Sequence, residues 1–435
     1  MKNTVDMEKL VSLCKRRGII FQSSEIYGGM NGCWDFGPVG CELKRKVKDL
    51  WWKDVVQHHD NVVGMDASII MHPRIWEASG HVANFKDVMV DCKECKRRYR
   101  IDHVEGDCCP ECGGEFTEPR DFNLMFKTYV GAVADDASVA YLRPETAQAI
   151  FAQFLTVLNS SRQRVPFGIA QIGKSFRNEI TPRNFIFRSR EFEQMELEFF
   201  VEPGTDEDWN NYWVDRRIKW YHKIGIKPER LRVRPHEKDE LAHYAKSCVD
   251  IEYEFPFGWQ ELEGIANRSD FDLSQHQEFS GKKMNYRDPI TGKDFIPWVI
   301  ETSAGVDRIV LTVLADAYEE QVLAEDDTRV VLHLAPCVAP VQVAVFPLFK
   351  KPQLQEVAKK IEETLRKHAL TSYDEIGSIG KRYRRQDEIG TPFCVTVDYE
   401  TLEDNAVTIR FRDSMEQERI SLDRIVSFIS EQLDF

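Results

Sequence analysis

The chain has 435 residues, 42% of them hydrophobic, enough for two or three domains with cores of their own. No apolar run reaches the ~18 residues a membrane span needs, so a transmembrane helix is not expected. The formal net charge of −14 excludes a generally basic nucleic-acid-binding surface, so any polyanionic partner must be met by local basic clusters on an acidic body that repels it elsewhere.

The first eighteen residues (MKNTVDMEKLVSLCKRRG) are charged and amphipathic. They predict a short leading helix rather than a signal peptide, and a cytoplasmic protein. After SEIYGG (Ser24 to Gly29) and WDFGPVG (Trp34 to Gly40), an amphipathic helix is expected around Glu42 to Val56. It carries the basic run Lys44 to Lys48 and a large apolar face at Leu50-Trp51-Trp52, suited either to a subunit interface or to burial in the same chain. His58-His59 on this helix reads as surface rather than as a metal site. A lone proline follows in Ile70-Met71-His72-Pro73.

Cys92-x-x-Cys95 and Cys109-x-x-Cys112 are two CxxC pairs thirteen residues apart, a spacing that suits one tetrahedral thiolate zinc site. Eleven cysteines without a secretory signal favour a reducing compartment over disulfides, although Cys108 could compete with Cys109 as a ligand. Further on, Pro144-Glu145-Thr146 opens an apolar helix, AQAIFAQFLTVL, where a carboxylate suits the helix start in any case.

The most informative frames come next. VPFGIAQIGKSF and EFEQMELEFF read as two half-buried antiparallel strands around a polar loop, with Arg177-Asn178-Glu179 at the head of the loop and Arg188, Phe192 and Glu196 at four-residue intervals after it. An arginine fork on such a hairpin can hold a phosphate and a carboxylate together. In the second frame, Glu301-Thr302-Ser303-Ala304-Gly305-Val306-Asp307-Arg308 leads into the apolar helix IVLTVLADAYEE. Both frames make sense around a nucleoside triphosphate. A division falls at Leu334-Ala335-Pro336, after which alternating strand and helix patterns predict an α/β layer domain. Its glycine-rich turn carries Lys381, Arg382, Arg384 and Arg385.

These frames, with the lone Pro73, match the three motifs of class II aminoacyl-tRNA synthetases. SEIYGG, WDFGPVG, WEASGH, RPETAQ, GKSFRNEITPRNF, REFEQMELEFF, GIANRSDFDL and GKRYRRQDEIGTPFC more closely resemble the dimeric, single-subunit-type glycyl-tRNA synthetase family, from about residue 8 to the C-terminus. The resemblance implies an α+β chain. An antiparallel-sheet catalytic domain would span 1–334, with a zinc-ribbon-like insertion at about 90–120, and an α/β anticodon-binding domain would span 335–435. It also implies a homodimer, with the helix at Glu42 to Val56 and the Pro73 strand near the interface, and tRNA(Gly), glycine and ATP as partners.

By the same resemblance, Arg177 would hold the α-phosphate and the attacking carboxylate, Arg308 the γ-phosphate, and Arg188 the bent triphosphate. Phe192 would stack on adenine and Glu179 would accept from its amine. Asn178, Phe187, Ser189, Arg190, Glu191, the pair Glu261 and Leu262, and Gly305, Val306 and Asp307 complete the implied nucleotide set. Magnesium would be held by Glu261 first and Glu301 second. The implied glycine pocket draws on Glu145, Glu193, Glu301 and Ser303 around the amino group and α-carbon, with Arg268 and Arg100 toward the carboxylate or closing the pocket. Phe192, Gln194, Met195, Glu196, Thr302, Ala304 and Gly305 would line it. Lys381, Arg382, Arg384 and Arg385 would contact tRNA.

Two features depart from the family pattern: Thr302 stands where proline is common, and the segment between the CxxC pairs is shorter than in many members. A catalytically inactive relative kept as a binding module would be expected to lose Arg177, Glu179 or Arg308, and all three stand. An adenylating ligase for a non-tRNA acceptor is disfavoured by the intact C-terminal domain.

Overall fold

A computed structural model describes residues 5–433 apart from 102, 103, 105 and 243. The leading helix α1 (Met7–Arg16) is capped by Asp6, whose side chain accepts from the backbone of Glu8, and it ends on Lys15 and Arg16, which complement the helix dipole. Helix α2 (Pro38–Trp52) starts on a proline, whose fixed φ suits that position, and widens into a single turn at Lys53–Gln57. Leu43, Val47, Leu50 and Trp51 are all buried in the core of the same chain. Of the two uses open to this apolar face, burial in its own subunit is the one observed.

The larger, N-terminal body is organised by a seven-stranded sheet. In chain order its parts are β1 (Val62–Gly64), helix α3 (Ala147–Ser161), β2 (Phe167–Phe176), β3 (Glu191–Val201), helix α4 (Asp206–Lys223), β4 (Leu231–Pro235), β5 (Ser247–Phe255), β6 (Gly258–Ser269), helix α5 (Phe271–Ser280), β7 (Trp298–Gly305) and helix α6 (Val306–Ala317). The strand order is β4-β5-β6-β7-β3-β2-β1, antiparallel throughout except for β1 against β2. The hairpin expected around Arg177 is therefore β2 and β3, next to each other within this sheet.

Strand alternation divides the sheet's faces. Met195, Leu197 and Phe199 of β3 turn to one face and join a large core with residues of α2, α4 and α6. The other face is apolar at one end, where Phe151 and Phe154 of α3 and Leu273 of α5 cover Phe167, Phe200 and Val299. At its other end it is polar and open. There the β3–β7 register sets Gln194 opposite Gly305, Glu196 opposite Ser303 and Glu198 opposite Glu301. A small separate sheet is inserted in the chain between β1 and α3: Lys86–Asp91 pairs with both Arg98–Arg100 and Arg120–Asn123, and this three-stranded unit bears the CxxC pairs.

The C-terminal unit comprises β8 (Val343–Pro347), α7 (Pro352–Leu365), β9 (Thr371–Tyr373), α8 (Ile379–Asp387), β10 (Phe393–Val397), β11 (Ala406–Phe411), β12 (Gln417–Ser421) and α9 (Ile425–Leu433). Its sheet runs β9-β8-β10-β11-β12, with β8 parallel to both neighbours. The first core extends through Leu334, Val338 and Ala339, and a separate core begins at Val343. The segment expected as a glycine-rich turn is a turn followed by a full helix: only Gly377 takes a left-handed φ (+82°), and the basic residues lie on α8.

The two units are joined by a buried charge cluster. Asp387 at the end of α8 receives Nε of Arg329 at 2.8 Å and Nη1 of Arg410 at 2.9 Å, and Arg329 and Asp387 are fully buried. Removing the one anion leaves two guanidiniums facing each other without a counter-charge, so Asp387→Ala should destabilise the chain by about 3–5 kcal/mol. Urea unfolding of the full chain measures this; a loss below ~1 kcal/mol would mean that the cluster does not hold the units together.

Candidate active site

Arg177 follows directly on β2 and Arg308 lies in the first turn of α6, far apart in sequence but on the same face of the sheet. Nε of Arg177 donates to the carbonyl of Pro144 at 3.1 Å, and its guanidinium stands 5.3 Å from the ring centre of Phe192 and 5.6 Å from that of Phe85. Across from it, Arg308 donates through Nη1 to the carbonyl of Glu261 at 3.1 Å, stands 3.3 Å from the Glu261 carboxylate and covers the ring of Phe187 at 4.5 Å. Both arginines open into one cleft of about 640 Å³, which Glu179, Arg188, Ser189, Gln194, Ser303, Gly305 and Asp307 also line. Arg188 is held by Glu179 through Nε at 2.7 Å and Nη2 at 2.6 Å. Three guanidiniums and two aromatic faces in one cleft suit a polyphosphate attached to a flat base.

The cleft continues into a cavity of about 750 Å³ lined by Glu145, Glu196, Glu301, Ser303, Gly264 and Ala266, and it shares Arg177, Gln194 and Glu261 with the first. β6 pairs with β7 so that Gly264 sits beside Ser303 and Ala266 beside Glu301. Small side chains therefore meet acids on this wall. Ser303 Oγ donates to Glu196 at 2.7 Å, and Thr146 donates to the other Glu196 oxygen. Arg268, buried, gives Nη1 to Glu301 at 3.0 Å and holds Asp272 through Nε at 2.7 Å and Nη2 at 2.9 Å. Glu145 lies 3.2 Å from Nε2 of His81, whose Nδ1 is 2.8 Å from Ser79 Oγ.

Glu145 is set in place by Arg143, which is buried and donates to the carbonyls of Lys174 (2.7 Å) and Ala67 (2.9 Å). It crosses β2 at Gly173, where a Cβ would meet Nη2 at 2.2 Å, so a side chain at this position would displace the guanidinium from its two carbonyls. Burial opposes the charge on Glu145, but His81, then Arg268 and Arg177, outweigh it and hold the carboxyl well below the usual range. Glu301 moves the other way: burial, only partly offset by Arg268 and reinforced by Glu196, Glu145 and Asp272, pushes it up to about 8. Glu196 is also raised, by burial and then by Glu145.

Several residues implied by the resemblance sit elsewhere. Glu193 points to the opposite face, where it is bound by Lys44 at 2.8 Å and Lys48 at 3.0 Å, and its backbone N–H donates to Asp307. Alternation also turns Met195, Thr302 and Ala304 away from the cavity into buried positions, so Thr302 bears on the wall through its backbone alone. Leu262 is the extra residue of a bulge in β6 and packs in the core, as does Val306. Arg100 lies on the insertion sheet, 3.2 Å from Asp87. Arg190 braces the loop, donating to the carbonyls of Glu179 and Asn31, while the backbone of Asn178 donates to that of Leu124 and Glu191 pairs with Lys174. Glu301, the second magnesium candidate, is bound to Arg268 at the floor of the second cavity and does not line the arginine cleft. Sequence reasoning missed His81, Thr146 and Gln194's partner Ser175, although His81 and Thr146 lie inside the quoted segments WEASGH and RPETAQ.

In the insertion, one sulfur from each of Cys92, Cys95, Cys109 and Cys112 lies within 4.8 Å of every other, and Cys108 is outside the group. On α8, Lys381 is exposed, Arg384 is tied to Asp327 and Arg385 to Asp374. Arg382 is a buried brace that donates to the carbonyls of Pro347 and Leu348, which removes it from any surface contact with RNA.

An antiparallel sheet that carries one arginine on an internal hairpin and another on the helix after the neighbouring strand, followed by an α/β domain, defines a class II aminoacyl-tRNA synthetase. Residues 342–432 match the family model described as an anticodon binding domain. Along nearly the whole chain there is 57% identity to the glycine–tRNA ligase of Treponema denticola, over 99% of this chain and 97% of that protein. The glycine–tRNA ligases of Borreliella burgdorferi (54%, covering 99% and 98%) and Thermobifida fusca (53%, covering 98% and 98%) are similarly related. The chain belongs to the glycine–tRNA ligase family.

The raised Glu301 carboxyl has a measurable consequence. It holds a proton below about pH 8, whereas an ammonium group bound beside it would favour the carboxylate, so binding of an amino acid in this cavity should release a proton. Affinity for glycine is then expected to rise with pH up to about 8, by at most about tenfold per unit, and to level off above it. Calorimetry in two buffers of different ionisation heat reads the proton directly. Uptake, or no exchange, at pH 7 would contradict the assigned protonation.

Proposed function

We propose that the chain activates glycine with ATP to glycyl-adenylate and pyrophosphate, then transfers glycine to the 3′ end of tRNA(Gly). The observation that carries this reading is the convergence of Arg177 and Arg308 on one cleft that opens into an acid-floored cavity walled by Gly264, Ala266 and Ser303.

The amino acid is recognised by charge: Glu145 and Glu196 receive the ammonium, with Glu301 below and Ser303 beside them. A substrate methyl group held against the Glu301 and Ser303 side chains would cost about 1–3 kcal/mol, about 10- to 200-fold in selectivity. Arg177 stands between cavity and cleft, so it can neutralise the glycine carboxylate and the α-phosphate together. A carboxylate oxygen forms the bond to the α-phosphorus as the bond from that phosphorus to the bridging oxygen breaks, and pyrophosphate carries away the electron pair. Arg188 and Arg308 hold the departing phosphates, and Phe192 supports the adenine. The barrier falls through positioning and preorganised charge, with no covalent enzyme intermediate. In the second step the terminal tRNA hydroxyl attacks the activated carbonyl and AMP leaves.

Glu261 has the position to hold magnesium: its carboxylate is about half exposed in the cleft beside Arg308, which keeps it ionised. The ion would supply charge neutralisation for the phosphates. Zinc fits the four converging sulfurs as a closed structural site. All eleven cysteines are free thiols, which suits a reducing cytoplasmic setting, and no helix among the described residues is long and apolar enough to cross a membrane. We assign a catalytic domain followed by an anticodon-binding domain, with the boundary expected at 334/335 moved to between Ala339 and Val343, where one core ends and the other begins, and with Lys381, Arg384 and Arg385 toward tRNA. For the homodimer contact expected near Pro73 we propose the surface where Ile75 and Leu155 border an open apolar cleft; Pro73 opens a short helix, Arg74–Ala78, and not the expected strand.

Pyrophosphate exchange tested with each amino acid should depend on glycine, and Arg177→Ala should lower it at least about 100-fold. Wild-type exchange in that variant would remove Arg177 from the chemistry. Charging of purified tRNA separates this activity from adenylation for another acceptor. Elemental analysis of protein purified without chelator should find about one zinc per chain, lost in Cys92→Ser; a zinc-free folded protein would leave the cluster as thiols.

A further inference from the structure

We propose that His236, Cys248 and Asp250 form a second metal site, for a borderline-soft divalent cation such as Zn²⁺, on the wall of the amino-acid cavity, and that an ion held there closes the cavity to glycine.

The sheet places these three donors together. Cys248 and Asp250 are two residues apart on β5 and so share a face, while His236 follows β4, where its backbone N–H donates to the carbonyl of Cys248 at 2.9 Å. One nitrogen, one sulfur and one carboxylate oxygen lie within 4.8 Å of each other, a mixed donor set that suits Zn²⁺ rather than Mg²⁺.

Two observations bear on an occupant. Nε2 of His236, sealed from solvent, is already paired with Oδ2 of Asp250 at 2.8 Å, so the ring and the carboxylate are held together with the Cys248 sulfur close by, as ligands of one ion must be. The second is room: a Cβ added at Gly264, on the adjacent strand, would meet nothing nearer than Oδ1 of Asp250 at 3.9 Å. Arg234 holds Oδ2 of Asp250 at 3.2 Å, but its charge is already met by Glu240 at 3.0 Å and Glu252 at 2.9 Å. The donors line the same cavity as Glu145, Glu261 and Glu301. An ion there adds positive charge to the wall of the cavity that takes the glycine ammonium, and so opposes its binding. On binding, the Cys248 thiol gives up its proton to solvent and binds as thiolate.

The test uses the full chain with zinc at the four-cysteine cluster. Titration with Co²⁺ should give a thiolate charge-transfer band that is absent from Cys248→Ser and that needs at least about 10- to 100-fold more Co²⁺ to develop in His236→Gln. A band of equal size in wild type and Cys248→Ser comes from the other cysteines and overturns the site, as does no band at all. Added Zn²⁺ should raise the glycine KM of the wild type in exchange, with each protein compared to its own metal-free rate, and leave that of Cys248→Ser unchanged. A Cys248-dependent band with no change in glycine KM would overturn the closure. Because the Co²⁺ band requires no activity, its outcome does not depend on the proposed reaction.

Discussion

The pairing of β3 with β7 is the constraint on which the site depends, because its register decides what faces what at the polar end of the sheet. With Glu196 opposite Ser303 and Gln194 opposite Gly305, the end of β7 delivers α6, and with it Arg308, to the mouth of the same cleft that Arg177 enters from the β2–β3 hairpin. A slip of β3 by one residue would send Glu196 into the apolar core and bring Met195 to the cleft. The register is protected from behind: Lys44 of α2 binds both Asp307 at 2.9 Å and Glu193 at 2.8 Å, joining α2, β3 and α6 in one buried knot. Glu193 thus serves the site without touching it.

The carboxylates on this face pose an electrostatic problem that the fold solves unevenly. Arg268 compensates two of them, Asp272 and Glu301, and lies 3.8 Å over the Tyr244 ring. Glu145 gains from His81 and the arginines and stays ionised. Glu198 is compensated least: both oxygens are buried without a hydrogen-bond partner among the described residues, and burial followed by Glu301 raises it well above the usual range. A cavity with more acids than cations is a poor place for an empty protein and a good one for an ammonium group. On the proposed function, affinity for the amino acid's ammonium comes from this excess of acids rather than from surface complementarity.

Much of this was legible along the chain. The hairpin, the helix after Arg308, the four-cysteine spacing and the α/β character of the last hundred or so residues follow from local periodicity and turn chemistry, which act over a few residues at a time. Less legible were side-chain directions within the motifs. REFEQMELEFF presents Glu193, Glu196 and Glu198 in one breath, yet one faces the rear of the sheet, one the cavity and one the buried floor. Strand alternation separates Glu193 from the other two, but which parity faced the cleft depended on what packed behind. The run KRYRR likewise reads as one basic surface, whereas helical geometry on α8 buries Arg382 and pairs Arg384 and Arg385 with acids.

The sequence by itself determined the chemical inventory: which cations, acids, aromatics and thiols exist, in frames whose local conformation is set by nearest neighbours. Only the tertiary structure decided the distances between frames far apart in the chain, the faces to which the acids turn, and the unequal protonation of Glu145 and Glu301. The reason is physical. Backbone preference is a short-range property, whereas burial and Coulombic interaction depend on whichever elements the sheet brings together, and that is settled only when the whole domain closes.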